Sequence, residues 1–357
     1  MPKINLHTFN NLQDIKFFDI CYNVANIVPH DEIHEVLRCD NLNYPILNKV
    51  KIMQNLTPIR QYLRQSTSNK LIVIDYLEGN NSIMSWLGQE RIAEYVRSNQ
   101  LIIISSGEFE NGIFLNLDFF LGHIHSTYNQ AIALNTFDKI FNQLNKPYKF
   151  LCLNKAKRPH RVELLELLKN LNLLDTALWS ALYDNQTIPM EYNDYFNERK
   201  KETTINQTNH DNPWIDGLLV PDLYIDTYFS VVTETNFEIP RCYRTEKIYK
   251  PLLIGHPFIA VSGYHFYQGL HKLGFKTFGH LIDESFDDIL NNNDRLVRIA
   301  NTINNLCNSN LVEFLKEAKP ICEYNRNLYF ELLGTDPLRK YNSLINFFNE
   351  LINAENT

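Results

Sequence analysis

Residues 228–263 read YFSVVTETNFEIPRCYRTEKIYKPLLIGHPFIAVSG. The first run, YFSVVTET (228–235), is apolar and β-branched until it ends on Glu234, and PFIAVSG (257–263) repeats that pattern. Continuous apolar runs of this length, bounded by polar turns, read as strands buried on both faces. Between them Thr245 is placed as the N-cap of a helix whose first turn holds Glu246 and Lys247. Strand, helix, strand in that order is a right-handed βαβ unit with parallel strands.

The alternation extends in both directions from this unit. Downstream come a helix through Leu273 and a short strand KTF (276–278); from Asp294 the pattern is helical to the end, closing with LRKYNSLINFFNELIN (338–353). Upstream, KFLCLN (149–154) reads as a strand and HRVELLELLKNLNLL as an amphipathic helix. A separate series, KLIVIDYLE (70–78), IMSWLGQERIAEYVRS, LIIISSGE (101–108) and FLNLDFF, occupies the first half. The reading is α/β, with two Rossmann-like domains facing a cleft: an acceptor-side domain over 1–147, a nucleotide-sugar-binding domain over 148–335, and a final helix at 336–357 packing back on the first domain. The polar stretch NERKKETTINQTNHDNP (197–213) reads as a surface loop.

Composition narrows the function. The chain has 357 residues, 44% of them hydrophobic and 21% charged, which suits packed cores and excludes global disorder. Its net charge of −7 supplies no basic footprint for nucleic acid. Glycine is scarce, 12 residues against 44 asparagines, and no two glycines are spaced G-x-G; with no Gly-Lys pair, this removes both the dinucleotide fingerprint and the P-loop. Five of those glycines, Gly255, Gly263, Gly269, Gly274 and Gly279, fall just after the Thr-Glu-Lys helix start, where they are expected to shape turns around a ligand pocket. Six cysteines without a CxxC pair read as reduced, mostly buried thiols. No apolar run approaches the ~20 residues of a membrane span, and the N-terminus lacks a signal-peptide core, which predicts a protein with no transmembrane segment that is cytoplasmic or exported by a route that leaves no such mark.

Open α/β sheets bind ligands at the carboxyl ends of their strands. The densest polar group in that setting is residues 233–258. A capped helix start offers free amides and a positive dipole end to a phosphate, Lys247 adds a full charge, and Glu246 or Glu234 is suited to sugar or ribose hydroxyls. The plainer alternative is a capped helix with a solvated lysine.

The same residues resemble the donor-binding motif of the α-1,3-fucosyltransferases and related glycosyltransferases of the GT-B fold: FSVVTETN (229–236) followed by CYRTEKIYKPLLIGHPFIAVSG (242–263). Glu234, Tyr243, Thr245, Glu246 and Lys247 match that motif, whereas Thr235 stands in place of its usual Asn and Cys242 in place of its usual Asp. A second stretch, FLCLNKAKRPHRVELLELL (150–168), is similar to the strand, polar loop and Arg-bearing helix that open the donor domain of those enzymes, with Arg161 in the position of their diphosphate-binding Arg. Lys155, Lys157, Arg158 and His160 surround it, a cationic cluster at the positive end of a helix dipole, which is unfavourable unless an anion binds there.

The resemblance implies a metal-independent glycosyltransferase that moves a sugar, with inversion, from a nucleotide sugar to a saccharide or protein acceptor. Its donor candidate is GDP-fucose, and it needs no further cofactor. Alternatives that share the pocket are another donor, such as a UDP-sugar, or a catalytically silent nucleotide- or glycan-binding protein. The metal-dependent GT-A class relies on Asp-x-Asp, and no two aspartates here have that spacing. An inverting transfer needs a base from the first domain. Glu108, after LIIISSG, is the first choice; Glu78, after LIVIDYL, and His125 are the alternatives. His30 and His34 can share a helical face but lack a third zinc ligand, and His123 with His125 fits packing or acceptor contact better than metal. No G-x-S-x-G elbow supports hydrolase chemistry.

Overall fold

The structure is a computed structural model that describes residues 127–192, 218–238 and 243–333, together with the strand segments 4–7, 70–75, 101–105 and 114–116 and residue 64. The chain divides into two compact units, Met1–Asp118 with Asp336–Thr357, and Phe119–Thr335. The expected helix over 83–98, the polar loop at 197–213 and the closing helix at 336–357 lie outside the described residues, as do His30, His34 and His123.

In the first unit four strands, β1 (Ile4–His7), β2 (Lys70–Asp75), β3 (Leu101–Ser105) and β4 (Phe114–Asn116), form one parallel sheet in the order β1-β2-β3-β4. The three apolar runs read from the sequence are β2, β3 and β4; β1, INLH, is too short to announce itself by pattern.

The second unit opens with α1 (Thr127–Asn142) and continues through β5 (Tyr148–Asn154), α2 (Pro159–Asn170), β6 (Ala177–Ala181), α3 (Pro221–Ile225), β7 (Thr227–Thr233), α4 (Glu246–Ile254), β8 (Phe258–Val261), α5 (Phe266–Lys272), α6 (Asn292–Cys307) and α7 (Leu311–Leu333). Its sheet is again parallel, in the order β6-β5-β7-β8. All seven residues of β7 and all four of β8 are buried, which is why neither alternates core-facing apolar with solvent-facing charged residues. The chain begins this sheet at β5, adds β6 on one side and then crosses to add β7 and β8 on the other. The direction of winding therefore reverses between β5 and β7.

Helix α1 precedes the seam expected at 147/148 yet lies in the second unit. It packs on α3 and α4, and its Phe137, Ile140 and Phe141 are buried in the same core as β5 and β7. The short strand expected at KTF (276–278) does not form. Lys276 instead places its N–H and C=O on the side-chain amide of Asn325 from α7, both at 2.8 Å, so one amide supplies the pairing that a neighbouring strand would have given. Cys152, Cys307 and Cys322 are free and buried, and burial pushes the Cys152 thiol up to about 11.

The glycine cluster does not line the strand-end loops as a group. Gly255 (φ 75°) terminates α4 and Gly274 (φ 91°) follows α5, so both close helices at the end of the sheet opposite the strand carboxyl termini. A side chain at Gly255 would put its Cβ 2.5 Å from the Phe137 ring, so this position needs glycine for two reasons.

Candidate functional site

A reversal of winding leaves a crevice beyond the carboxyl ends of the two central strands. In the second unit these are the ends of β5 and β7, and the polar groups found there tie the strand ends together. Thr233 Oγ1 donates to Asn154 Oδ1 at 2.6 Å, and the Asn154 N–H donates to Ser180 Oγ at 3.2 Å. Beyond them two helix starts converge on the three residues Thr233, Glu234 and Thr235.

The first is α2. Pro159 sits at its first position, no side chain caps it, and no acid occupies its first turn. Residues 155–158 ahead of it are exposed and include Lys155, Lys157 and Arg158, so positive charge gathers at a positive dipole end. Arg161 turns inward instead, only 3% exposed. Its guanidinium donates to the carbonyls of Thr233 (2.9 Å), Glu234 (3.2 Å) and Ala156 (3.2 Å). His160 Nε2 lies 3.0 Å from the Glu234 carbonyl and must donate to it. Burial, with added repulsion from Arg161, Arg158 and Arg295, drives the His160 pKa down to about 4, so the ring is neutral at pH 7.

The second is α4. Thr245 is its N-cap as expected, accepting from the Lys247 N–H at 3.3 Å. Its backbone N–H donates to Glu234 Oε1 at 3.2 Å and its hydroxyl to Glu234 Oε2 at 2.6 Å. Glu234 has no exposed surface, so its carboxylate latches the end of β7 to the start of α4 and is closed to a sugar hydroxyl. Burial raises its pKa, against the opposing pull of Lys247 and the Thr245 hydrogen bonds. Lys247 keeps 27% of its side chain exposed. Its ammonium donates to Glu246 Oε1 (2.7 Å), Thr245 Oγ1 (3.1 Å) and Thr235 Oγ1 (3.4 Å). Burial alone would raise the Glu246 carboxyl, but Lys247 and then Lys250 outweigh it and hold it below its ordinary value.

Arg161, Glu234, Thr245, Glu246 and Lys247 are therefore brought to one place, and Tyr243 is buried in the segment leading to the cap. Cys242 and the three candidate bases Glu78, Glu108 and His125 lie outside the described residues. Among the described residues no group of three His, Cys, Asp or Glu side chains is arranged to hold a metal, and no helix is long and apolar enough to cross a membrane.

Three site residues were missed in the sequence. Asn236 Nδ2 is buried without a hydrogen-bond partner at the turn after β7, leaving an unused donor there. Arg244 is 1% exposed, hidden in sequence as one more charge beside the Thr-Glu-Lys triplet. Arg295, on α6, donates to the carbonyls of Phe237 (2.6 Å) and Ser262 (3.1 Å) beyond the ends of β7 and β8. Only the unusual content of the Thr235-Asn236-Phe237 turn could have signalled the first. Nothing in the helical pattern of α6 signals the last.

Comparison with protein-family models, curated proteins and solved structures finds no match to this chain.

Proposed function

We propose that the chain is a metal-independent glycosyltransferase of GT-B architecture, in which two Rossmann-like domains face a cleft. It moves a sugar from a nucleotide sugar, with GDP-fucose as first candidate, to a saccharide or protein acceptor, with inversion and in the cytoplasm. The observation that carries the reading is the convergence of both helix starts on the Thr233–Thr235 strand end at the reversal of winding, where Arg161, Thr245 and Lys247 each donate to it. A cationic helix start and a capped helix start at one strand end suit a diphosphate. Lys247, partly exposed, is the cation for it, the 155–158 loop draws it in, and Glu246, released when Lys247 turns to phosphate, is free to accept from ribose or sugar hydroxyls. Arg161 contributes charge from beneath and fixes the carbonyls of the strand end.

In the reaction the acceptor oxygen bonds to the anomeric carbon while the bond from that carbon to the phosphate oxygen breaks, its electron pair leaving on the nucleoside diphosphate. The acceptor proton passes to a base, for which Glu108, then Glu78 and His125, are the candidates. The alternative that shares this pocket is a catalytically silent nucleotide- or glycan-binding protein, which needs the same release of the Lys247 ammonium from Glu246. Turnover separates the two. GDP-fucose and UDP-sugars are incubated with a panel of saccharide acceptors, with and without EDTA, and nucleoside diphosphate release is followed. Release that survives EDTA and is lost in Lys247→Ala supports transfer, and no release from any donor removes it.

A further inference from the structure

The strand-end site has a wall whose support comes from a distant element. Arg295 lies on the first turn of α6, more than thirty residues after β8, and is 1% exposed. Burial lowers its pKa to about 10, so it is still fully charged at pH 7. Buried charge of this kind persists where its donors are satisfied. Here Nη2 donates to the Phe237 carbonyl (2.6 Å) and Asn292 Oδ1 (2.7 Å), Nε to the Ser262 carbonyl (3.1 Å), and Nη1 to the carbonyls of Ile289 (2.8 Å) and Leu290 (3.2 Å). Four of these five acceptors are main-chain oxygens in three separate loops: the turn after β7, the end of β8 and the approach to α6.

The guanidinium carbon also stands 4.4 Å from the centroid of the Phe237 ring. That ring stacks on His160 at 5.2 Å with an interplanar angle of 17°. His160 in turn donates to the Glu234 carbonyl, which Arg161 shares. A continuous set of contacts thus runs from Arg295 through Phe237 and His160 to the strand end that receives both helix starts. Ser262 adds a cross-tie, its hydroxyl donating to the Asn236 carbonyl at 3.4 Å.

We propose that Arg295 is a positioning residue for the strand-end site: by clamping the Phe237 and Ser262 carbonyls it fixes the Phe237 ring against His160 and so sets the Glu234 carbonyl and the Thr235–Asn236 turn that a nucleotide would meet. Its value for ligand binding rests on the nucleotide reading above, whereas its hold on His160 does not.

The test uses the full chain in two variants. Arg295→Lys keeps a cation but cannot bridge the three loops, because an ammonium lacks the planar fork. Arg295→Gln keeps a planar amide but cannot span the three loops, and it decides the matter if Arg295→Lys does not fold; the charge it removes is the smallest of the influences on His160. His160 is followed by its imidazole NMR signals across pH, and GDP affinity by calorimetry. In both variants His160 is expected to titrate at least one unit above its wild-type value of about 4, because the ring that shields it has moved. GDP is expected to bind about tenfold or more weakly. A folded variant in which His160 titrates as in the wild type overturns the proposal, since a purely structural arginine would lower stability without touching that proton. If the wild type binds no GDP, the nucleotide reading falls, and the His160 titration still decides whether Arg295 positions this turn.

Discussion

Replacing Thr245 by Val tests the latch that joins β7 to α4. The substitution keeps shape and removes one hydroxyl, which in the native protein caps the helix and donates to Glu234 Oε2 at 2.6 Å. Loss of an N-cap costs about 1 kcal/mol. Loss of a hydrogen bond to a carboxylate with no exposed surface costs about 2 kcal/mol more. The total, about 3 kcal/mol, corresponds to a fall in melting temperature of roughly 6–12 °C for a unit of this size. Thr245→Ser keeps the hydroxyl and loses one methyl, for about 1 kcal/mol. The deficit of the Val variant should also shrink as pH falls, because Glu234, whose pKa is already raised by burial, protonates and no longer needs two donors. Thermal unfolding of both variants from pH 5 to pH 8 measures these effects. Equal stability of Thr245→Val and Thr245→Ser at pH 8 would refute the latch.

The buried titratable groups give the protein an opposed pH response. His160 (about 4) and His256 (about 3) fall below the ordinary histidine value through burial, so the unfolded chain binds more protons between those values and pH 6.5, and stability rises with pH across that window. Glu284 is raised by burial to about 7, so between pH 4.5 and 7 the folded chain binds more protons and stability falls with rising pH. Glu284→Gln should therefore gain on the wild type as pH goes from 5 to 8, by up to about 3 kcal/mol; a difference independent of pH would show that Glu284 titrates normally. Gly255→Ala should cost about 2–4 kcal/mol in urea unfolding, combining a left-handed backbone with the clash on Phe137, and a change within 0.5 kcal/mol would show that the α4 terminus relaxes freely.

What the sequence made legible follows from how each feature is encoded. Apolar, β-branched runs bounded by polar turns mark strands in the sequence itself, so β2, β3, β5, β7 and β8 were readable, and the N-cap at Thr245 was readable because its chemistry is local. Strand β6, ALWSA, was hidden by residues that suit helices equally well. KTF has the pattern of a strand, but a single side-chain amide from α7 satisfies its backbone, and no local pattern reveals that. The site was legible as a set of positions: Arg161, Glu234, Thr245, Glu246 and Lys247 do meet at one strand end. Their directions were not. Arg161 and Glu234 carry charge that a sequence reading aims at a ligand, yet both turn into the protein, because backbone carbonyls and Thr245 offer acceptors and donors there. Arg295 depends on three loops converging, a tertiary fact.

On the proposed function the carboxyl ends of β5 and β7 hold a nucleoside diphosphate. The measurement that decides it is thermal shift with GDP, UDP, CMP and ADP, each with and without EDTA, on the wild type and on Lys247→Ala. At a hundred times its Kd a ligand stabilises by about 2.7 kcal/mol, roughly 5–11 °C here. GDP is expected to give such a shift, unchanged by EDTA and lost in Lys247→Ala; a UDP-selective shift would keep the site and change the donor. No shift with any of the four, or a shift that Lys247→Ala leaves intact, would contradict it.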